Sequence, residues 1–324
     1  MGSGLSFPTV PLTKDKVVVV TGGNTGIGYE TAKWIAMYGA HVIIACRSEE
    51  RATKAIERMN QEFAEEKARG TEGLMKENSL DVHFMKLDCA SLKSTREFIE
   101  TFKQKESKLH LLLLNAGIAM HEQEYTDDGY ELMFQVNYLS HFLITSKLLP
   151  IMRESGEDCR IVLVSSDAHL VSSFDMDKIQ GKQYTKANFS RMTYYGNSKL
   201  YQIMQMYSLN KKLHNTNVTV NCIHPGIVET EISRSFSDLQ RWKVFFRMTK
   251  LFGGTKTPFE GAKTLINAAI NPKYKDLRNA YHTNCKPSTS NRLSRNEHYQ
   301  DQLWEYTLGC LKEYLTEEDI QKLQ

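Results

Sequence analysis

A run of β-branched residues that ends in glycines constrains this chain more than any other feature. Val17-Val18-Val19-Val20-Thr21 leads into Gly22-Gly23-Asn24-Thr25-Gly26-Ile27-Gly28, and Tyr29-Glu30-Thr31-Ala32-Lys33-Trp34-Ile35-Ala36 follows with a helical reading. An uninterrupted apolar strand asks for burial on both faces, which a parallel sheet between two helix layers supplies. Where such a strand turns through glycines into a helix, the main chain can approach a ligand closely. The helix start then presents free N–H groups and a positive dipole end, suited to a pyrophosphate. The spacing of Gly22, Gly26 and Gly28 is G-x-x-x-G-x-G, not the commoner G-x-G-x-x-G, and by itself it also describes an ordinary turn that needs positive φ.

Strand-like segments recur near 16–21, 41–46, 82–87, 110–115, 160–165, 218–223 and 279–283, separated by helical stretches. That alternation predicts an α/β fold: a single Rossmann-type doubly wound parallel sheet of about seven strands with helices on both faces. The 324 residues suffice for one large core, and no Pro- or Gly/Ser-rich linker divides them, so 1–324 reads as a single domain. The formal charge of +3 is small and dispersed, which excludes a nucleic-acid stripe. Glu49-Glu50-Arg51 and Glu65-Glu66-Lys67 read as solvated helix faces. The six cysteines lack C-x-x-C spacing and the ten histidines lack ligand spacing, so neither a disulfide framework nor a metal site is expected. With no secretory apolar region and no bilayer-length stretch, the expectation is an intracellular, cytoplasmic chain, soluble or peripheral on a membrane. Met1-Gly2-Ser3-Gly4-Leu5-Ser6 fits the N-myristoylation pattern and equally fits an expression scar or a disordered tail. One acyl chain would bind a membrane only marginally.

Three further segments carry chemistry. Tyr195-Gly196-Asn197-Ser198-Lys199 places a phenol and an ammonium on one helix face, where the cation can acidify a phenol whose free pKa is about 10. That is a proton-transfer device. Tyr194 competes for the role, but its i+4 partner is the uncharged Ser198. Arg160-Ile161-Val162-Leu163-Val164-Ser165-Ser166 delivers two hydroxyls at the end of a strand, on opposite sides of the pleat. Leu111-Leu112-Leu113-Leu114 stops at the small turn Asn115-Ala116-Gly117.

Taken in this order, the glycine turn, Asn-Ala-Gly, serine and Tyr-x-x-x-Lys resemble the short-chain dehydrogenase/reductase family over roughly residues 14 to 310, and within it the retinol-dehydrogenase-like branch. The resemblance implies Tyr195 as general acid/base, with Lys199 also holding the nicotinamide ribose. It implies Ser166, the second serine of its pair, as partner of the reacting oxygen, and Asn137 as holder of a water that links the lysine to solvent. A helix-interior asparagine on a polar face is the bland alternative for Asn137. The cofactor residues it implies are Gly22, Asn24, Thr25, Gly26, Ile27 and Gly28 at the pyrophosphate, with Asn115, Ala116 and Gly117. Asp88 would meet the adenine amino group, unless it is a generic strand-end aspartate. Pro225, Gly226, Val228 and Thr230, in His224-Pro225-Gly226-Ile227-Val228-Glu229-Thr230, would meet the nicotinamide carboxamide. Leu114 departs from the family, where another asparagine is frequent. The insert from His169 to Thr193 is longer than in compact members and would shape the substrate mouth. His141 receives no role beyond packing or surface.

The strand His41-Val42-Ile43-Ile44-Ala45-Cys46 ends without an acid and Arg47 follows, which selects NADP(H) over NAD(H). Arg51 is either a second phosphate contact or a solvated side chain. A substrate lid is expected at about 230–257. Its segment Leu239-Gln240-Arg241-Trp242-Lys243-Val244-Phe245-Phe246-Arg247-Met248-Thr249-Lys250-Leu251-Phe252 suits a large apolar alcohol or carbonyl of retinoid, steroid or polyprenoid type, and contact with anionic lipid. A lid helix simply packed on the core is the alternative. The reading is therefore an NADP(H)-dependent alcohol/carbonyl oxidoreductase. Its rival is a catalytically idle NADP(H)-binding scaffold or sensor, against which the intact tyrosine, lysine and serine weigh. Natural substrate, direction and oligomeric state, a homo-oligomer included, stay open.

Overall fold

The structure is a computed structural model that describes residues 9–228 and 254–323. Its strands are β1 (Val17–Thr21), β2 (His41–Cys46), β3 (Val82–Lys86), β4 (Leu111–Leu114), β5 (Cys159–Val164), β6 (Val218–His224), β7 (Ile227–Val228), β8 (Thr255–Lys256), β9 (Tyr281–Thr283) and β10 (Lys286–Ser288). The helices are α1 (Gly26–Met37), α2 (Glu49–Ala68), α3 (Leu92–Lys105), the short α4 (Leu132–Phe134), α5 (Ser140–Glu154), α6 (Arg191–Lys212), α7 (Pro258–Ile270), α8 (Glu297–Cys310) and α9 (Glu317–Gln321).

Eight strands form one sheet in the order β10-β9-β6-β5-β4-β1-β2-β3, and every pairing is parallel except β9 with β10. The count exceeds the expected seven because β9 returns as a hairpin. Asn284 and Cys285, with φ of 49° and 62°, make the two-residue turn, as hairpin loops of this length require. Pro287 sits in the outermost strand, where a missing N–H is tolerated.

Successive strand residues feed two core layers. Val18, Val20, Leu111 and Leu113 pack with apolar side chains of α1, α2 and α7. Val17, Val19, Leu112 and Leu114 pack with those of α3, α5, α6 and α8. All four leucines of β4 are fully buried, each contributing about 1.5–3 kcal/mol of burial. β1 pairs with β2 on one side and β4 on the other, which is where chain winding reverses and where ligands of open α/β sheets bind.

The acidic runs fall on α2, with Glu49, Glu50 and Glu65 exposed. The six cysteines are free thiols, five of them buried. Among the described residues no helix is long and apolar enough to cross a membrane. Met1–Ser6, Thr230 and the lid segment Leu239–Phe252 lie outside the described residues. At its edges, β7 pairs with β8, and Thr257 starts α7 with a reciprocal capping box to Glu260.

Candidate active site

A cleft of about 720 Å³ opens at the carboxyl ends of β1 to β4. Its walls include Gly22, Asn24, Thr25, Gly26 and Ile27, with Arg47, Asp88, Asn115, Ala116 and Gly117 across from them. Gly28 lies behind this surface. A Cβ there would sit 2.4 Å from the Gly22 carbonyl oxygen, so only glycine lets α1 close on the strand. Thr25, the N-cap of α1, makes no side-chain cap hydrogen bond, and the first turn carries no acid. The N–H groups of that turn are thus left to a ligand, and no carboxylate repels an anion: the donor set fits a pyrophosphate.

The Asn-Ala-Gly turn is tied to the glycine turn. Asn115 Nδ2 donates to the Thr21 carbonyl at 2.9 Å, while Thr21 Oγ1 accepts the N–H groups of Asn115 and Ala116, both at 2.9 Å. Thr21 was given no role from sequence; its position as the last residue of β1 was the available signal. His141 is fully buried with Nε2 3.3 Å from Thr21 Oγ1, a packed histidine. Asp88 uses Oδ1 to accept the Ala90 N–H at 2.9 Å. Arg47 is exposed on the cleft rim and pairs with no carboxylate among the described residues.

Tyr195 and Lys199 lie one turn apart on α6, with the ammonium 5.8 Å from the ring centre. Lys199 Nζ donates to the Val164 carbonyl at 2.9 Å and to Gln202 Oε1 at 3.2 Å, two neutral oxygens. Burial drives its ammonium down to about 7. The expected acidification of Tyr195 is not what this arrangement produces. Burial raises the phenol and the Ser166 hydroxyl opposes that shift, while the lysine is turned to Val164 and weakened as a cation. Tyr194 is spent elsewhere: its hydroxyl donates to the Lys178 carbonyl at 2.6 Å and its ring stacks on Phe189.

The two serines divide as the pleat predicts. Ser165 Oγ donates to the Lys199 carbonyl at 2.8 Å, fastening α6 to β5, and Ser166 stays on the side of the phenol. Asn137 sits at the centre of a π-helical turn, Gln135–Leu139, between α4 and α5, a feature the pattern of apolar residues did not reveal. It is fully buried. Its Oδ1 accepts the Ile118 N–H at 2.8 Å, and its Nδ2 donates to the Ile118 carbonyl and to Ser198 Oγ, each at 2.9 Å. Ser198 Oγ in turn donates to the Tyr195 carbonyl at 2.7 Å. A Cβ on Gly117 would fall 3.1 Å from Asn137 Oδ1 and 3.5 Å from Lys199 Nζ, so the bare glycine keeps these groups next to one another.

A second network frames the serine. His169 Nδ1 lies 2.7 Å from the Ser166 carbonyl, and Asp167 meets Tyr281 Oη at 2.8 Å and His224 Nε2 at 3.2 Å. His224 precedes Pro225 and Gly226, so the end of β5 and the start of the expected carboxamide grip are joined through Asp167. Val228 is buried in β7 and Pro225 gives its carbonyl to Lys256 Nζ at 3.1 Å.

A family model described as short chain dehydrogenase matches residues 16–177 and 182–241. The chain belongs to that family. Among curated relatives, this short-chain dehydrogenase is 36% identical over 313 residues to human polyprenol dehydrogenase, covering 93% of this chain and 86% of that one. It is 36% identical over 297 residues to mouse retinol dehydrogenase 12, covering 91% and 86% of the two chains. Those matches place it in the retinol-dehydrogenase-like branch. In fold, the dehydrogenase is similar to an NADP active-site complex of RhlG from Pseudomonas aeruginosa, with a TM-score of 0.64, 22% identity, and 85% and 96% of the chains covered. It is likewise similar to L-sorbose reductase of Gluconobacter frateurii, with a TM-score of 0.63, 18% identity, and 84% and 95% covered.

Proposed function

We propose that this oxidoreductase is NADP(H)-dependent and interconverts an alcohol and a carbonyl on a hydrophobic substrate of retinoid, steroid or polyprenoid type, within one domain spanning 1–324. The observation that carries the reading is the convergence of Tyr195, Ser166, Lys199 and Asn137 beside a cleft whose helix start is kept free for a pyrophosphate. NADP(H) bound there would supply or accept the hydride. Gly22, Asn24, Thr25, Gly26 and Ile27 would surround its pyrophosphate and Arg47 its 2′-phosphate; Asp88, Asn115, Ala116, Gly117, Pro225, Gly226, Val228 and Thr230 would fill the other family positions.

Tyr195 is held as a neutral phenol, so in reduction its hydroxyl gives its proton to the carbonyl oxygen while Ser166 donates a hydrogen bond to the same atom. In oxidation the proton returns to the tyrosine oxygen. Lys199, fixed by Val164 and Gln202, orients the cofactor ribose and replenishes the proton, and Asn137 keeps the lysine's surroundings in place. Apolar substrates are supported by the branch's relatives and by Leu170 and Val171, which are 56% and 66% exposed in the insert that follows Ser166. Such a mouth also suits peripheral contact with a membrane.

The test is NADPH consumption with retinal, a steroid ketone and simple aldehydes, run beside Tyr195→Phe. Turnover of the apolar carbonyls that the variant lacks supports the reading. Cofactor binding without turnover of any of them overturns it in favour of an idle scaffold.

A further inference from the structure

At the opposite end of the sheet from the dinucleotide cleft, the register of β2 on β3 brings His41 beside Asp81 and His83, forty residues further along the chain. Val42 pairs with Val82, so His41 stands across from Asp81, and His83 follows two residues on along the same face. His41 Nδ1 is 3.0 Å from Asp81 Oδ2, and His83 Nε2 is 2.8 Å from Asp81 Oδ1. One donor atom from each residue lies within 4.8 Å of the other two. The other nitrogen of His41, Nε2, is 3.2 Å from Glu106 Oε1 at the end of α3.

We propose that His41, Asp81 and His83 form a zinc site, with Glu106 as the carboxylate that orients His41. Two imidazoles and a carboxylate are the hard-to-borderline donors that Zn²⁺ takes, and three protein ligands plus water complete a tetrahedron. Ligands of a zinc ion held at about 2.0–2.2 Å stand about 3.3 Å apart, so donor atoms that already lie within 4.8 Å of one another need shift by no more than about 1.5 Å to close round the ion, which takes the place of the shared protons. A metal-bound histidine that gives its second N–H to a carboxylate is the arrangement that fixes ring orientation in such sites. The pair His41–Glu106 already has that geometry. His83 is 59% exposed at its side chain, giving the ion an entry path, while His41 and Asp81 are held at 18% and 24%. Being removed from the cleft, the ion would tie β2, β3 and α3 together and take no part in turnover.

The experiment is calorimetric titration of metal-stripped full-length protein with ZnCl₂, beside melting curves and Co²⁺ absorption. One equivalent bound by wild type, at least tenfold weaker in His83→Ala and in Asp81→Asn, about 10–100-fold weaker in Glu106→Gln, and Co²⁺ bands of a tetrahedral N/O site are expected. Melting curves without metal verify that the variants fold, and His83, being exposed, is the substitution least able to disturb the core. No stoichiometric binding by wild type, affinity unchanged in His83→Ala, or a thiolate-to-cobalt charge-transfer band pointing to cysteine ligands would each overturn the assignment.

Discussion

If Arg47 reads the 2′-phosphate, its removal should separate the two nicotinamide cofactors in a way that can be sized from its surroundings. The side chain is exposed on the cleft rim, pairs with no carboxylate among the described residues, and follows a strand whose last residues, Ala45 and Cys46, offer no acid to ribose hydroxyls. A charge-assisted hydrogen bond contributes about 1.5–3 kcal/mol, and solvent screening places an exposed guanidinium in the lower half of that range. Arg47→Ala should therefore raise the Kd for NADPH by roughly 10- to 30-fold, at about 1.4 kcal/mol per decade, and leave NADH within about twofold. The NADPH loss should shrink as salt is raised, because screening has already weakened the wild-type contact. Fluorescence titration of both cofactors at low and high salt measures each of these quantities. Adding Cys46→Asp, a carboxylate at the end of β2, should move preference further toward NADH. An equal loss for both cofactors would show that Arg47 serves the fold of its loop, and an unchanged NADPH Kd would remove the arginine from the phosphate altogether.

Tyr195→Phe should lower turnover by roughly 10²–10⁴-fold with NADPH binding nearly intact, and a residual rate above about a tenth of wild type would place the proton donor elsewhere. Gly28→Ala should weaken the fold by about 1–3 kcal/mol and abolish cofactor binding, since its Cβ would press on the Gly22 carbonyl; near-wild-type urea midpoints and Kd would refute the close approach. Glu131 is fully buried with Oε2 capping Phe134, and burial pushes its carboxyl up to about 7 against the hydrogen bonds from Phe134 and Met133. Because the folded value is raised, its stabilising contribution is complete below about pH 4.5 and lost as pH climbs through 7. Urea unfolding of Glu131→Gln should gain on wild type by up to about 3 kcal/mol between pH 5 and 8, and a difference that stays constant with pH would refute the burial argument.

Most of the sheet could be read in advance because β1, β2, β4, β5 and β6 are largely apolar runs bounded by turns, so period and length locate them. β10 escaped because Lys286, Pro287 and Ser288 carry no apolar period; only the backbone turn at Asn284 and Cys285 makes them a strand. In the site, Tyr195, Lys199 and Ser166 were legible as residue types at fixed spacing. Their supports were not: Ser165, Ser198 and Gln202 are generic polar residues whose value comes from which carbonyl or side chain they reach. The direction of the Tyr195 shift is not legible in the sequence for the same reason, since spacing puts a lysine near a phenol but says nothing of the carbonyl that draws it away or of how deeply both are buried. His41 shows the limit in its simplest form, because strand register, and not sequence distance, makes it a neighbour of Asp81 and His83.

The π-helical turn around Asn137 means that chain length, as much as side-chain identity, is under constraint there. A turn closed from residue i to i+5 holds one residue more than its α-helical counterpart, about 100° of rotation. Removing any one residue between Gln135 and Leu139 would swing everything upstream by that angle relative to everything downstream. Phe134 on one side of the turn and Phe142 on the other are both packed in the core, and Asn137 between them is bonded to Ile118 and Ser198. The extra residue is what allows a single continuous rod to keep two appointments, one with the core and one with the Tyr195 helix, and a rod of even pitch would miss one of them.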